Sequence, residues 1–192
     1  MAWLIAGLLI FMVPHCVRMV ADGWRTRLLA QVGEGPYKGV YSLFSIVGFG
    51  LIIYGFGVAR QQPVQLWSPP VAMRHVASLL MLVSFILLAA TYVPGNQFKA
   101  RLHHPMVLSV KTWALAHLLA NGNLAHMVLF GAFLAWAVWN FVASRRRDRA
   151  QNVVYPAGTA GATVTTGAVG LIAWGVFAFW LHGWLIGVRP LG

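Results

Sequence analysis

The sequence predicts an all-α protein that crosses a membrane several times, and three observations lead to this prediction. Of the 192 residues, 59% are apolar and only 9% are charged. The mean hydropathy is +0.72, which is far above that of a soluble domain. The apolar residues fall in runs of about 20, the length that an α-helix needs to cross a bilayer. This length suits one membrane domain over residues 1–192, with no room for a second.

Six apolar segments are predicted as transmembrane helices, each of them apolar on every face. Stretches rich in glycine, proline or asparagine separate them, and they include residues 33–36, 61–70 and 94–98. The break at residues 121–123 is so short that the helices it joins must be antiparallel neighbours. The predicted spans are residues 2–20, 39–59, 72–93, 105–121, 124–143 and 167–187. The predicted fold is therefore a polytopic helical bundle.

The distribution of basic residues predicts how the bundle is oriented. Fourteen Lys and Arg residues against three acids give a formal charge of +11, but no soluble basic face interleaved with aromatic residues points to nucleic acid. Basic residues in alternate loops number nine on one side and three on the other. The two sets are Arg25, Arg27, Lys38, Lys99, Arg101, Arg145, Arg146, Arg147 and Arg149, against Arg60, Arg74 and Arg189. The richer side is predicted to be cytoplasmic, which leaves both termini outside.

The residue inventory excludes several kinds of catalytic site. Cys16 is the sole cysteine, so neither an internal disulfide nor a cysteine metal cluster can form. There is no HExxH motif and no carboxylate pair for zinc-dependent or glycosidic hydrolysis. The serines in the spans lack a GxSxG turn. What remains is a set of histidines on different helices, and helical bundles hold haem between their helices in this way.

His15 lies within the first predicted span, directly after Pro14. A polar ring without a partner in hydrocarbon is costly, so a compensating interaction is expected. One interpretation is local, because Pro14 leaves the carbonyl of Ile10 without its helical donor. The other is a ligand for a metal or cofactor, since neutral imidazole binds iron and zinc. Arg18 follows on the same helical face, which suits a cofactor with an apolar body and an anionic edge.

His117 lies in the fourth predicted span, four residues after Trp113, so the two rings share one helical face. Such a surface suits a large flat apolar ligand, and the alternative is a hydrogen bond between helices. His104 begins the same helix, and thirteen positions at ~100° each place it roughly 140° around from His117. Because the two cannot face one iron, His104 is interpreted as an interfacial residue or proton carrier. No role is assigned to the outer histidines, which are His75, His126 and His182.

Three stretches of the sequence carry a resemblance to a known family. They are "PHCVRM" at residues 14–19, "HHPMVLSVKTWALAHLLANGN" at 103–123 and, more loosely, "LFGAFLAWAVWNFVASRRRDR" at 129–149. With these the chain resembles the NnrU family of bacterial membrane proteins, which is related to the 15-cis-zeta-carotene isomerases of plants and cyanobacteria. The second stretch is the specific one, because it is similar to the family's HP(x)nW(x)nAHxLxNG signature.

The resemblance implies an integral haem b protein of the bacterial inner membrane. In the isomerases, two histidines hold the iron, and their positions match His15 and His117, while the histidine-proline position matches His104. The isomerases carry a cysteine, implicated in a redox-linked exchange of the axial ligand, where this chain has Ala114. The resemblance therefore implies haem binding more directly than it implies isomerase activity.

Two functional hypotheses follow from the resemblance. The first is redox-linked or isomerase-like chemistry on a lipid-soluble substrate such as a polyene, or a role in nitrite and nitric oxide reduction during denitrification. The second is a haem module without catalysis that transfers electrons or senses redox state or nitric oxide. Both give the protein membrane lipid and haem as partners, and neither involves nucleic acid.

Haem propionates need positive partners or water, and the sequence offers Arg18 first and then Arg25 or Arg27. If His15 and His117 serve one iron, they must lie at a similar depth. That condition predicts that the first helix continues past Val20 toward Arg27. Without such an extension, His104 becomes the alternative partner of His15.

Overall fold

The computed structural model describes residues 1–191, and every regular element within them is a helix. The helices are α1 (Ala2–Val20), α2 (Asp22–Val32), α3 (Glu34–Ala59), α4 (Ala72–Tyr92), α5 (Gln97–Leu102), α6 (Pro105–Ala120), α7 (Leu124–Ala150), α8 (Ala160–Val176) and α9 (His182–Ile186). A π-helical turn, Phe177–Leu181, connects α8 to α9. The all-α prediction is confirmed. The prediction that the C terminus lies outside concerns Gly192, which is not among the described residues.

Five helical segments are long and apolar enough to cross a membrane. They are α1, α3, α4, α7 and the joined segment Ala160–Ile186. The sixth apolar helix, α6, has 16 residues and is about 24 Å long at ~1.5 Å per residue, short of the ~30 Å hydrocarbon core. The structure therefore supports a multi-pass membrane bundle with five full-length spans and one shorter apolar helix, where six similar spans were predicted.

The expected extension of the first helix is wrong. Helix α1 ends at Val20, and Ala21 has φ −141° and ψ 45°, outside the helical region. A separate helix, α2, begins at Asp22 and carries Arg25 and Arg27. Its composition is far more polar than that of α1, so the helix boundary coincides with the end of the apolar run.

The described residues divide into two compact units. The first comprises Met1–Leu66 and Asn123–Ala132, and the second comprises Trp67–Gly122 and the residues from Phe133 onward. Helix α7 begins in the first unit and ends in the second.

The first unit is built on close antiparallel packing of α1 against α3. A Cβ atom at Gly7 would lie 2.6 Å from the backbone nitrogen of Ile52, and one at Gly48 would lie 2.6 Å from that of Phe11. Because only glycine allows this approach, the sequence brings the two backbones into contact by placing small residues at the interface, as membrane helices commonly do.

In the second unit, α4 packs against both α6 and α8. The Ser84 hydroxyl donates to the backbone carbonyl of Ser109 at 2.9 Å, which fixes α4 to α6 through a buried hydrogen bond. Gly170 of α8 lies against the backbone of Ile86. These contacts again place small residues where helices meet.

The outward surface of the spans is apolar. Within α3, for example, Leu43 and Ile46 are 61% and 70% exposed. Side chains of this kind on long apolar helices are in contact with lipid when the helix spans a bilayer. The exposed apolar surface therefore agrees with membrane-embedded helices.

Candidate functional site

His15 sits in the first unit, where α1 faces the beginning of α3. Its Nδ1 atom lies 2.6 Å from the carbonyl oxygen of Phe11. The imidazole stacks on the Phe11 ring at 4.2 Å between centroids and lies 5.0 Å from the Tyr41 ring. The local interpretation of the sequence has His15 compensate the free carbonyl of Ile10. In the structure the imidazole donates instead to the carbonyl of Phe11, one residue later in the chain. The imidazole is therefore oriented by its own helix and by two aromatic rings.

His117 sits in the second unit, near the end of α6. Its Nδ1 atom lies 2.9 Å from the carbonyl oxygen of Trp113. The Trp113 ring is 5.4 Å from the imidazole and makes an edge contact with Phe133 at 5.3 Å. The predicted sharing of one helical face by Trp113 and His117 is thus seen as a ring contact.

The two histidines have the same hydrogen-bond arrangement. A carbonyl oxygen can only accept, so Nδ1 must carry the hydrogen in both His15 and His117. In the neutral imidazole, Nε2 then carries the lone pair. Histidines that bind metals typically donate the other ring nitrogen's hydrogen to a carbonyl or carboxylate, which fixes tautomer and orientation. Each side chain on its own thus has the donor chemistry of an axial haem ligand.

The predicted propionate partners lie at the polar end of α1 and on α2. Arg18 and Arg25 both approach Oδ1 of Asp22, at 4.0 and 3.8 Å. The guanidinium of Arg25 also lies 5.6 Å above the ring of Tyr37. Arg27 is an exposed residue of the same helix. Because partly exposed ion pairs are weak, Asp22 does not prevent these cations from binding another anion.

His104 belongs to a polar cluster in the second unit that sequence patterns did not reveal. Its Nε2 atom lies 2.8 Å from Oδ2 of Asp148, near the end of α7. The hydroxyl of Tyr155 donates to the same oxygen at 2.9 Å, and Nη1 of Arg145 lies 3.5 Å away. The carboxylate can only accept, so His104 donates from Nε2, whereas His15 and His117 donate from Nδ1. The arrangement agrees with an interfacial or proton-exchanging side chain.

The residue before His104 has a strained backbone. His103 has φ 61° and ψ −150°, a region that is almost restricted to glycine. Its Nδ1 atom is buried and has no hydrogen-bond partner among the described residues. Burial, and after it the positive charge of Arg145, lower the pKa of His103, while burial and the hydrogen bond to Asp148 raise the pKa of Tyr155. The cluster thus places two imidazoles and a phenol around a single carboxylate.

Two of the unassigned histidines also donate from Nδ1. His126 lies 2.5 Å from Oδ1 of Asn123 in the first unit, and His182 lies 2.6 Å from the carbonyl of Val188 in the second. Within residues 1–191, no three His, Cys, Asp or Glu side chains group as a metal site.

Comparison with known proteins shows a family for this chain. The family model described as NnrU protein matches residues 3–190, nearly the whole chain. No curated protein and no solved structure matches the chain.

Proposed function

The chain belongs to the NnrU family, and from that premise we propose that it is a membrane haem b protein with His15 and His117 as axial ligands. Because α1 ends at Val20, His104 is the alternative partner of His15. The family match fits a membrane protein of denitrification. The proposal is that this protein takes part in redox chemistry there, on nitrite or nitric oxide, or in isomerase-like chemistry on a lipid-soluble polyene.

The positions of His15 and His117 in the two stretches that resemble the family carry the proposal, and their shared tautomer supports it. Each imidazole donates from Nδ1 to the carbonyl four residues earlier, so Nε2 is the basic nitrogen. The ring contacts with Phe11 and Trp113 also provide flat apolar surface next to each imidazole, and a porphyrin face is apolar.

Arg18 is proposed as the principal partner of a haem propionate, with Arg25 and Arg27 as further positive groups. Arg18 lies one turn after His15 on α1, and its side chain is 59% exposed. A guanidinium binds a carboxylate through two parallel hydrogen bonds. The arginine would therefore hold the polar edge of the cofactor where the apolar helix ends.

When bound, a haem supplies one-electron redox chemistry and, if one axial histidine leaves, a position for a diatomic ligand. The protein's own residues determine which of these is used. The Nδ1 hydrogen bond to the carbonyl of Phe11 or Trp113 restrains the orientation of each imidazole. His104, fixed by Asp148, offers a site of proton exchange at the start of α6.

One observation favours the second hypothesis, a haem module without catalysis. Ala114 is fully buried in α6, in place of the cysteine that the related isomerases use in ligand exchange. Cys16 follows His15 immediately in the sequence and therefore projects from a different face of α1. An exchange of the same form is therefore not available to this chain, and stable electron transfer or sensing is favoured over isomerisation.

The experiment that tests the proposal is an absorption spectrum of the purified protein with a pyridine haemochrome assay. Haem b in about equimolar amount is the expected result, since one iron takes two axial histidines. A colourless protein that takes up no added haemin would contradict the proposal. Mixing the reduced protein with carbon monoxide separates the two hypotheses, because rapid binding requires a labile histidine and an electron carrier stays six-coordinate.

A further inference from the structure

A cavity of about 260 Å³ lies in the first unit, between α2 and the beginning of α3. Its lining residues are Arg25 and Leu29 from α2 and Glu34, Tyr37 and Lys38 from α3. Between the two helices the chain turns at a single residue, Gly33, whose φ of 83° favours glycine. The cavity is therefore built by a short local segment of the chain.

The cavity lies where two apolar helices end. Helix α1 ends at Val20 and α3 begins at Glu34, and both are long enough to span a bilayer. Helix α2 between them is polar, and its Trp24 is 52% exposed. Tryptophan is enriched at the boundary between membrane and water. This position puts the cavity at the level of lipid headgroups.

Both signs of charge line the cavity. Nζ of Lys38 lies 2.7 Å from Oε1 of Glu34, and these side chains are 70% and 73% exposed. On the other helix, Arg25 lies over the Tyr37 ring. Exposed ion pairs of this kind are weak, so a ligand can take the place of either partner. Two cations and one carboxylate line the cavity, so a phosphate meets the cations, and an ammonium on the same ligand pairs with Glu34.

The volume limits the size of the ligand. Sites for drug-sized molecules measure about 300–1,000 Å³, so 260 Å³ suits a small polar group better than a whole lipid. Leu29 gives the wall an apolar part where a glycerol and the first methylene groups can lie.

We propose that this cavity binds the phosphoethanolamine headgroup of a membrane lipid. The phosphate lies between Arg25 and Lys38, and the ammonium lies against Glu34 and the ring of Tyr37. This function is separate from haem binding. With Arg25 at the headgroup, Arg18 and, after it, Arg27 remain the proposed partners of the propionates. It would fix the polar end of the α1–α3 pair at a defined depth in the membrane.

Native mass spectrometry of the protein, purified from an equimolar mixture of phosphatidylethanolamine and phosphatidylglycerol, tests the proposal. The wild type should retain phosphatidylethanolamine preferentially. The exchange of Glu34→Lys with Lys38→Glu keeps the ion pair and the net charge but reverses its direction. It should lower the ratio of retained ethanolamine to glycerol lipid by about fivefold, the size of one weak charge contact. An unchanged ratio would overturn the proposal.

Controls separate the headgroup from charge alone. Arg146→Gln removes one positive charge from an exposed residue of α7, outside the cavity, and should leave the ratio unchanged. Soluble phosphoethanolamine should displace the retained lipid, and inorganic phosphate at the same concentration should not. Equal displacement by phosphate would show a simple anion site and contradict the proposed zwitterion. A thermal unfolding curve of the exchange variant that matches the wild type verifies that it folds.

Discussion

Nε2 of His104, at the start of α6, lies 2.8 Å from Oδ2 of Asp148, near the end of α7. The two residues are separated by 44 positions in the sequence, and their side chains are only 23% and 13% exposed. Tyr155 donates to the same carboxylate oxygen. Asp148 thus connects two helices and a following loop, and it is one of only three acids in the chain.

Asp148→Asn should destabilise the protein measurably. The carboxylate accepts hydrogen bonds from His104 and Tyr155, and hydrogen bonds to a charged group contribute about 1.5–3 kcal/mol each. The variant should therefore unfold at a clearly lower temperature in detergent. Glu34→Gln is the matched control, because its partner Lys38 is exposed, and it should leave the unfolding temperature unchanged. Equal effects of the two substitutions would refute a structural role for the cluster.

Gly48→Val should disrupt the packing of α1 against α3. A Cβ at this position would lie 2.6 Å from the backbone nitrogen of Phe11, and overpacking of this kind costs about 1–3 kcal/mol or more. Gly50→Val is the control on the same helix, because nothing lies within 4 Å of its added Cβ. Thermal unfolding should place the first variant well below the second. Equal unfolding temperatures of the two variants would contradict the close packing of α1 against α3.

Arg18→Gln should weaken haem retention. The substitution removes the guanidinium one turn beyond His15, while Asp22 stays in place. Arg60→Gln, at the far end of α3, removes the same charge and should retain haem as the wild type does. Retention is measured as the Soret absorbance that remains after transfer to apomyoglobin. Identical transfer from the two variants would count against the propionate assignment.

A reporter fused to the C terminus should be active outside the cytoplasm. Nine basic residues in one set of loops against three in the other predict that both termini face outward. Alkaline phosphatase at the C terminus should be active, and green fluorescent protein at the same position should be dark. The reverse pattern would invert the predicted topology.

The helices could be predicted well from the sequence, because long apolar runs leave few alternatives in a membrane. The predicted start of the last span at residue 167 was late by seven positions, since α8 begins at Ala160. Thr159 caps that helix by accepting a hydrogen bond from the backbone nitrogen of Ala162. A threonine before an apolar run is a recognisable helix start, so this boundary can be predicted from the sequence.

Other features were not readable from local patterns. No proline or glycine at position 21 marks the break in the helix there, and "ADGWRTRLLA" contains good helix formers. The bond between His104 and Asp148 depends on tertiary packing across 44 residues. The histidines themselves stood out because polar rings are rare in spans. The ring nitrogen from which each histidine donates depends on how its side chain packs, and sequence spacing does not reveal it.

The central claim is that His15 and His117 are the two axial ligands of one haem, and visible and electron paramagnetic resonance spectra of single variants test it most directly. His15→Ala and His117→Ala should each abolish the low-spin bis-histidine signal. His104→Ala should keep the signal, as should His182→Ala, the matched control whose Nδ1 also donates to a carbonyl. Loss of the signal in both proposed ligand variants and in neither control is the predicted result. An unchanged six-coordinate spectrum in the variant that lacks His117 would contradict it.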